Sequence, residues 1–88
     1  MPRYFLDLYS DTETVLDTEG AVFVSADEMM AAALNGAREI IAADAMSGVV
    51  DLSPRIDVRD EGDQVIHTLH FADAVAFLSE VQGSARAA

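Results

Sequence analysis

Arg55-Ile56-Asp57-Val58-Arg59, then Asp60-Glu61-Gly62-Asp63, then Gln64-Val65-Ile66-His67-Thr68-Leu69-His70-Phe71, is the stretch whose hydrophobic period is least ambiguous. Charged and apolar side chains alternate through the first segment, a turn of Asp, Glu and Gly follows, and β-prone residues run back. The stretch reads as a β-hairpin. Its strands put Arg55, Asp57 and Arg59 on one face and Ile56 and Val58 on the other. On the returning strand, Val65, His67, Leu69 and Phe71 share a face, opposite Ile66, Thr68 and His70.

Working toward the N-terminus, Pro54 marks where this extended region begins, and Val49 to Ser53 connect it to a long helical pattern. Ser25 stands at the N-cap, with Glu28 at capping-box spacing and Asp27 adding charge in the first turn. At about 100° per residue, Met30, Ala33, Leu34, Ala37, Ile41 and Ala45 form one apolar stripe. Met29 and Met46 fall off that stripe, which makes them candidates to cover an interface. Gly48 is placed to end the helix in the left-handed conformation. Gly36 lies on the outer face, where it weakens the helix by roughly 1 kcal/mol relative to Ala.

Further upstream, Tyr4-Phe5-Leu6-Asp7-Leu8-Tyr9 alternates with Tyr4, Leu6 and Leu8 on one face and Phe5, Asp7 and Tyr9 on the other. Ser10-Asp11-Thr12-Glu13 and Asp17-Thr18-Glu19-Gly20 are turns around a short β piece, Thr14-Val15-Leu16. Val22-Phe23-Val24 either extends that second strand or makes a brief third. Downstream of the hairpin, Ala74, Val75, Leu78 and Val81 recur at helical spacing, predicting a short helix from Ala72 to about Gly83. The expected fold is α+β, in the order β-β-α-β-β-α. Two hairpins form an antiparallel sheet packed on one long helix, in a single domain over residues 1–83 with a frayed tail at 84–88. A sheet covered on one side leaves its other face wet, and Phe5, Tyr9 and Ile66 are expected to make an apolar patch there.

The whole chain has 88 residues, 51% hydrophobic and 24% charged, with no Cys. A chain of this size buries roughly 63% of its unfolded surface, a modest core with no disulfide to assist it. Sixteen acidic residues against five basic ones, all Arg, leave a formal charge of −11. That charge repels phosphate backbones, so direct nucleic-acid binding is not expected. The absence of Cys removes thiolate chemistry and Cys-based zinc sites and is compatible with a cytoplasmic protein. No signal peptide or membrane span is expected from the apolar runs.

Little chemistry is assembled in the sequence. His67 and His70 leave opposite faces of a strand and cannot chelate one ion together. His67 is expected at the edge of the core with a hydrogen-bond partner, and no nucleophile or carboxylate is placed beside either ring. The acidic turns at residues 11–13, 17–20 and 60–63 resemble fragments of cation-binding loops without full EF-hand spacing. The simpler reading is solvated turns in which Gly20 and Gly62 supply positive φ. Arg3, Arg55 and Arg59 form a candidate anion site, weighed against a charged face paired with cross-strand carboxylates. No phosphate loop, nucleophile elbow or metal-ligand helix is present. No catalytic, metal or cofactor residue is expected.

Arg3-Tyr4-Phe5 with Asp7, then Asp17-Thr18-Glu19-Gly20, then the long Ala/Glu/Arg helix, then Val58-Arg59-Asp60-Glu61-Gly62 with Val65 and Phe71-Ala72-Asp73-Ala74, carry a resemblance. Over residues 2–75 the chain resembles small bacterial proteins of a domain-of-unknown-function family that begin Pro-Arg-Tyr-Phe and carry an acidic Asp/Glu-Gly turn before a long helix. The resemblance implies a bacterial cytoplasmic protein and, because the family has no assigned activity, carries over no catalytic residue. Leu6 departs from the pattern, where a second Phe is common. In architecture and charge the chain also resembles antitoxin partner domains.

Three functional expectations follow. The first is a non-enzymatic interaction module that self-associates as a homodimer, with Phe5, Tyr9, Ile66, Met29 and Met46 as interface candidates. The second is an antitoxin-like or regulatory protein that docks a basic partner by charge complementarity. The third is a ligand- or cation-binding domain or enzyme using His67 or His70.

Overall fold

The structure, a computed structural model, describes residues 2–79. The hairpin that anchors the sequence reading forms as β4 (Arg55–Arg59) and β5 (Val65–His70), paired antiparallel with Ile56 opposite Leu69 and Val58 opposite His67. The Asp60 carboxylate accepts from the N–H groups of Gly62 and Gln64 at 2.8 and 3.0 Å, which closes the turn. The left-handed residue is Asp63, at φ 64°, not Gly62 as expected. Asp tolerates this region because its short side chain finds local partners; here the carboxylate accepts from Arg59 Nη1 at 2.8 Å. Between Val58 and Arg59 the register slips by one residue, so Ile66 is the extra residue of a bulge.

β1 (Arg3–Tyr9) lies antiparallel along the other side of β4, pairing Phe5 with Arg59, Asp7 with Asp57 and Tyr9 with Arg55. Two short strands, β2 (Thr14–Val15) and β3 (Ala21–Val22), pair with opposite ends of β1 along its remaining edge. The third strand is thus separate, and the order across the sheet is β2 and β3, then β1, β4 and β5. Both hairpins join one antiparallel sheet through the β1–β4 contact.

α1 (Ala26–Ser47) spans the helix expected from its caps. Ser25 Oγ accepts from Glu28 N–H at 3.2 Å, and Glu28 Oε1 reaches back to Val24 N–H at 3.1 Å, one residue before the cap. Gly48, at φ 97°, closes the C-terminus through its N–H to the carbonyls of Asp44 and Ala45. The buried stripe is Met29, Ala33, Ala37 and Ile41. Met29, expected off the stripe, is 2% exposed, while Met30 and Leu34 pack half-buried at its flank and Ala45 is exposed. The seam follows a single i, i+4 row whose middle is alanine, which lets the helix approach β4 closely.

The core lies between α1 and the inner face of the sheet. One part joins Met29, Ala33 and Val58 with Tyr4 and Phe23, and the other joins Ala37, Ile41, Ile56, Phe71 and Ala74. Leu6 and Leu69 pack against both parts. The expected second helix is shorter than its periodicity suggests: a single 3₁₀ turn at Phe71–Asp73, after which residues 74–79 are irregular. Its N-cap, His70, makes no side-chain cap bond, and the Ala74 carbonyl that would continue a helix accepts from Arg38 Nε at 2.9 Å. The expected end near Gly83 and the tail at 84–88 lie outside the described residues. Among the described residues, no helix is long and apolar enough to cross a membrane.

Candidate functional site

The outer face of the sheet, away from α1, collects Phe5, Asp7 and Tyr9 from β1 and Arg55, Asp57 and Arg59 from β4, because both strands alternate and pair in register. Each aromatic ring faces a guanidinium directly across the strand pair. Arg55 lies 4.5 Å from the Tyr9 ring centre and Arg59 lies 4.8 Å from that of Phe5. Phe5 and Tyr9 are consequently half-buried, and the expected apolar patch is a mixed surface of rings under arginines. Ile66 belongs to the bulge and is 46% exposed, and Met46 is 89% exposed at the far end of α1.

Asp7 is only 1% exposed although it lies on this outer face. Residues 16–20, between β2 and β3, lie over it: Asp17 N–H donates to Asp7 Oδ1 at 2.9 Å, and Arg59 Nη2 donates to the Asp17 carbonyl at 3.0 Å. Arg59 also grips both Asp7 oxygens, Nε to Oδ2 at 2.5 Å and Nη2 to Oδ1 at 3.1 Å. The Arg59 hydrogen bond and charge, with the Asp17 N–H, hold the Asp7 carboxyl below its ordinary range against the opposing effect of burial. Arg59 is correspondingly held above its own ordinary value, chiefly by its hydrogen bonds to Asp7. Burial pushes Asp17 up, but N–H groups of Gly20, Leu6 and Glu19 outweigh it and leave the carboxyl below its usual range.

These bonds decide between the readings of the charged residues. Arg59 makes four hydrogen bonds, to Asp7, Asp63 and the Asp17 carbonyl, Arg3 Nη1 donates to the Glu19 carbonyl at 2.8 Å, and Arg55 Nε donates to Asp57 at 3.2 Å at the far end of β4, so the three arginines do not converge on an anion site. The Asp17 and Asp60 carboxylates accept from backbone N–H groups of their own turns, which is the solvated-turn reading. No group of three or more His, Asp or Glu converges as a metal site among the described residues. His67 sits half-buried on the helix side of β5 and His70 exposed on the other side, as alternation requires. No hydrogen bond joins either ring to a partner among the described residues, unlike the partnered histidine expected at 67.

The two edges of the sheet differ. On the β1 edge, the gap between β2 and β3 is closed by Asp17, whose Oδ2 accepts from Leu6 N–H at 3.1 Å. On the other edge, β5 pairs only with β4 among the described residues. Phe71 N–H donates to the Pro54 carbonyl at 3.0 Å, which sets the phase of the β4–β5 ladder. Antiparallel pairs alternate, so Leu69 and His67 also bond inward, while Thr68 and His70 turn their N–H and C=O groups out along the free edge.

Residues 3–72 match the model of the DUF6894 family, a domain of unknown function. The chain belongs to that family. No curated protein and no solved structure matches it. The DUF6894 match runs from the first residue of β1 into the 3₁₀ turn and so contains both hairpins, α1 and every member of the Asp7–Arg59–Asp17 network.

The sequence offers cross-strand carboxylates as partners for these arginines but does not name Asp7 or the cover of residues 16–20, because those bonds join residues far apart in the chain. A signal was present in Asp7, a carboxylate between two aromatic residues on one strand face, facing the Arg-x-Asp-x-Arg alternation of residues 55–59.

Proposed function

We propose that this DUF6894 protein is a small non-enzymatic interaction module that self-associates. The observation supporting it is the division of apolar surface. Among the described residues eight hydrophobic side chains are buried and three of them are alanines, whereas Leu16, Val24, Val49 and Val65 are 55, 69, 75 and 54% exposed. Large aliphatic side chains left this exposed forgo part of the roughly 1.5–3 kcal/mol that full burial contributes, so association that covers even one of them adds to what this small core supplies. A bacterial, cytoplasmic setting is the one the family resemblance implies.

Light scattering on the purified protein across concentration, at low and high salt, tests the reading. A dimer that persists at high salt is expected, since apolar association is little screened. A strict monomer at every concentration overturns it.

A second reading, docking of a basic partner, is favoured by the acidic turns. Asp11, Glu13 and Glu61 are exposed, and no ion pair involves them among the described residues. Its mark is association with a basic protein that weakens steeply as salt rises.

A further inference from the structure

We propose that the self-association surface is the free edge of β5, and that two copies pair their β5 strands antiparallel about a two-fold axis to make one continuous sheet. The inference rests on the reading of the protein as a self-associating module and names the surface.

Three observations single out this edge. The opposite edge is already closed, by two short strands and by Asp17 capping the N–H between them. It is also lined by Asp11, Glu13, Asp17 and Glu19, so a second copy of a chain carrying −11 charges is repelled there. Residues 64–72, bounded by Asp63 and Asp73, contain no carboxylate and no Pro, so the strand itself brings no like charge into such a pairing. Natural edge strands are commonly guarded by inward charges, Lys, Pro or a bulge; β5 has none of the first three, and its bulge at Ile66 leaves the ladder from His67 to His70 regular.

That bulge also sets the register. The regular, outward-facing part of the edge is confined to Thr68 and His70, one on each side of Leu69. An antiparallel edge is self-complementary under a two-fold axis, because each residue then exchanges both its hydrogen bonds with its counterpart. Centring the axis on Leu69 pairs Thr68 of each copy with His70 of the other. It sets the two Leu69 side chains side by side on the helix face, each gaining burial beyond its present half-buried state.

His70→Pro is the discriminating variant. It deletes an outward N–H that β4 does not use, at a residue whose φ is already −84°, close to that of proline. His70→Ala keeps the N–H and serves as the control. The expected result is a wild-type dimer, a dimeric His70→Ala, and a His70→Pro that dissociates on the order of thirtyfold more readily, as the loss of two hydrogen bonds per dimer implies. His70→Pro and the wild type should melt together at a dilution where both are monomers. Amide hydrogen exchange gives a second readout: Thr68 and His70 N–H groups should gain protection as wild-type concentration rises. A His70→Pro that dimerises as tightly as the wild type overturns the β5 edge while leaving self-association standing. A wild type that stays monomeric, as expected if this edge receives an extended segment of a different protein, overturns self-association and this inference with it.

Discussion

Arg59 holds both carboxylate oxygens of Asp7 across the β1–β4 strand pair, and the carboxylate it holds is 1% exposed. The pair joins the two hairpins at the seam where the sheet closes. The Asp17 backbone joins it from above, donating to Asp7 and accepting from Arg59.

Removing Asp7 leaves a guanidinium beside an empty space and the Asp17 N–H without its acceptor. Asp7→Ala is expected to cost about 3 kcal/mol or more, because breaking one side of a buried pair strands the other. Adding Arg59→Met to Asp7→Ala should cost far less than the sum of the two single changes, which a double-mutant cycle by urea unfolding measures. Additive costs would show that the contact contributes no coupling.

Acid should find the same place. Asp7 and Asp17 both titrate below the usual carboxylate range in the folded protein, whereas an unfolded carboxyl titrates at about 4. The unfolded chain therefore takes up protons first as pH falls. The stability these two groups contribute is fully present above the unfolded value and is lost as pH drops from there through their depressed folded values. Urea midpoints between pH 6 and 3 should decline less steeply in Asp7→Asn than in the wild type; equal slopes would refute the assignment.

The glycines should respond in opposite directions. Gly36 in α1 has open space where a Cβ would go, so Gly36→Ala should stabilise by roughly 1 kcal/mol through helix propensity. Gly20 is at φ +68°, and a Cβ there would lie 2.7 Å from the Tyr4 carbonyl and 2.8 Å from the Phe5 ring. Gly20→Ala must displace β1 backbone or residues 16–20, and should lower the melting temperature and raise exchange at the Asp17 amide.

Ser25→Ala removes the acceptor for the Glu28 N–H and is expected to cost about 1 kcal/mol. Ser25→Asp, which restores an acceptor and suits the positive end of the helix, should recover most of it in thermal melts.

The local elements were legible because their signals are local. Ser25, Glu28 and Gly48 bracket α1 through bonds within a few residues of themselves, and the alternation at residues 55–59 defines β4 without reference to anything distant. The errors arose where a distant group intervened. The stripe centred on Met30 gave way to one through Met29 because the position of β4 selects which row of the helix is buried. The helix expected after Ala72 stops at one 3₁₀ turn where Arg38, thirty-six residues away, binds the Ala74 carbonyl. The positive φ at Asp63 instead of Gly62 is a local difference, with Arg59, four residues back, holding the Asp63 side chain.

Period, capping and turn chemistry act over one to four residues, so the sequence by itself determined the hairpins, the long helix, their boundaries and the inner faces of β1 and β4. Tertiary contacts set that β1 lies beside β4, that residues 16–20 fold over Asp7, that Arg55 and Arg59 pair with carboxylates while Arg3 bonds the Glu19 carbonyl, and that β5 is left with a free edge. Those outcomes depend on strand order, and strand order is set by which apolar faces and buried charges can be satisfied together, a condition no local window contains.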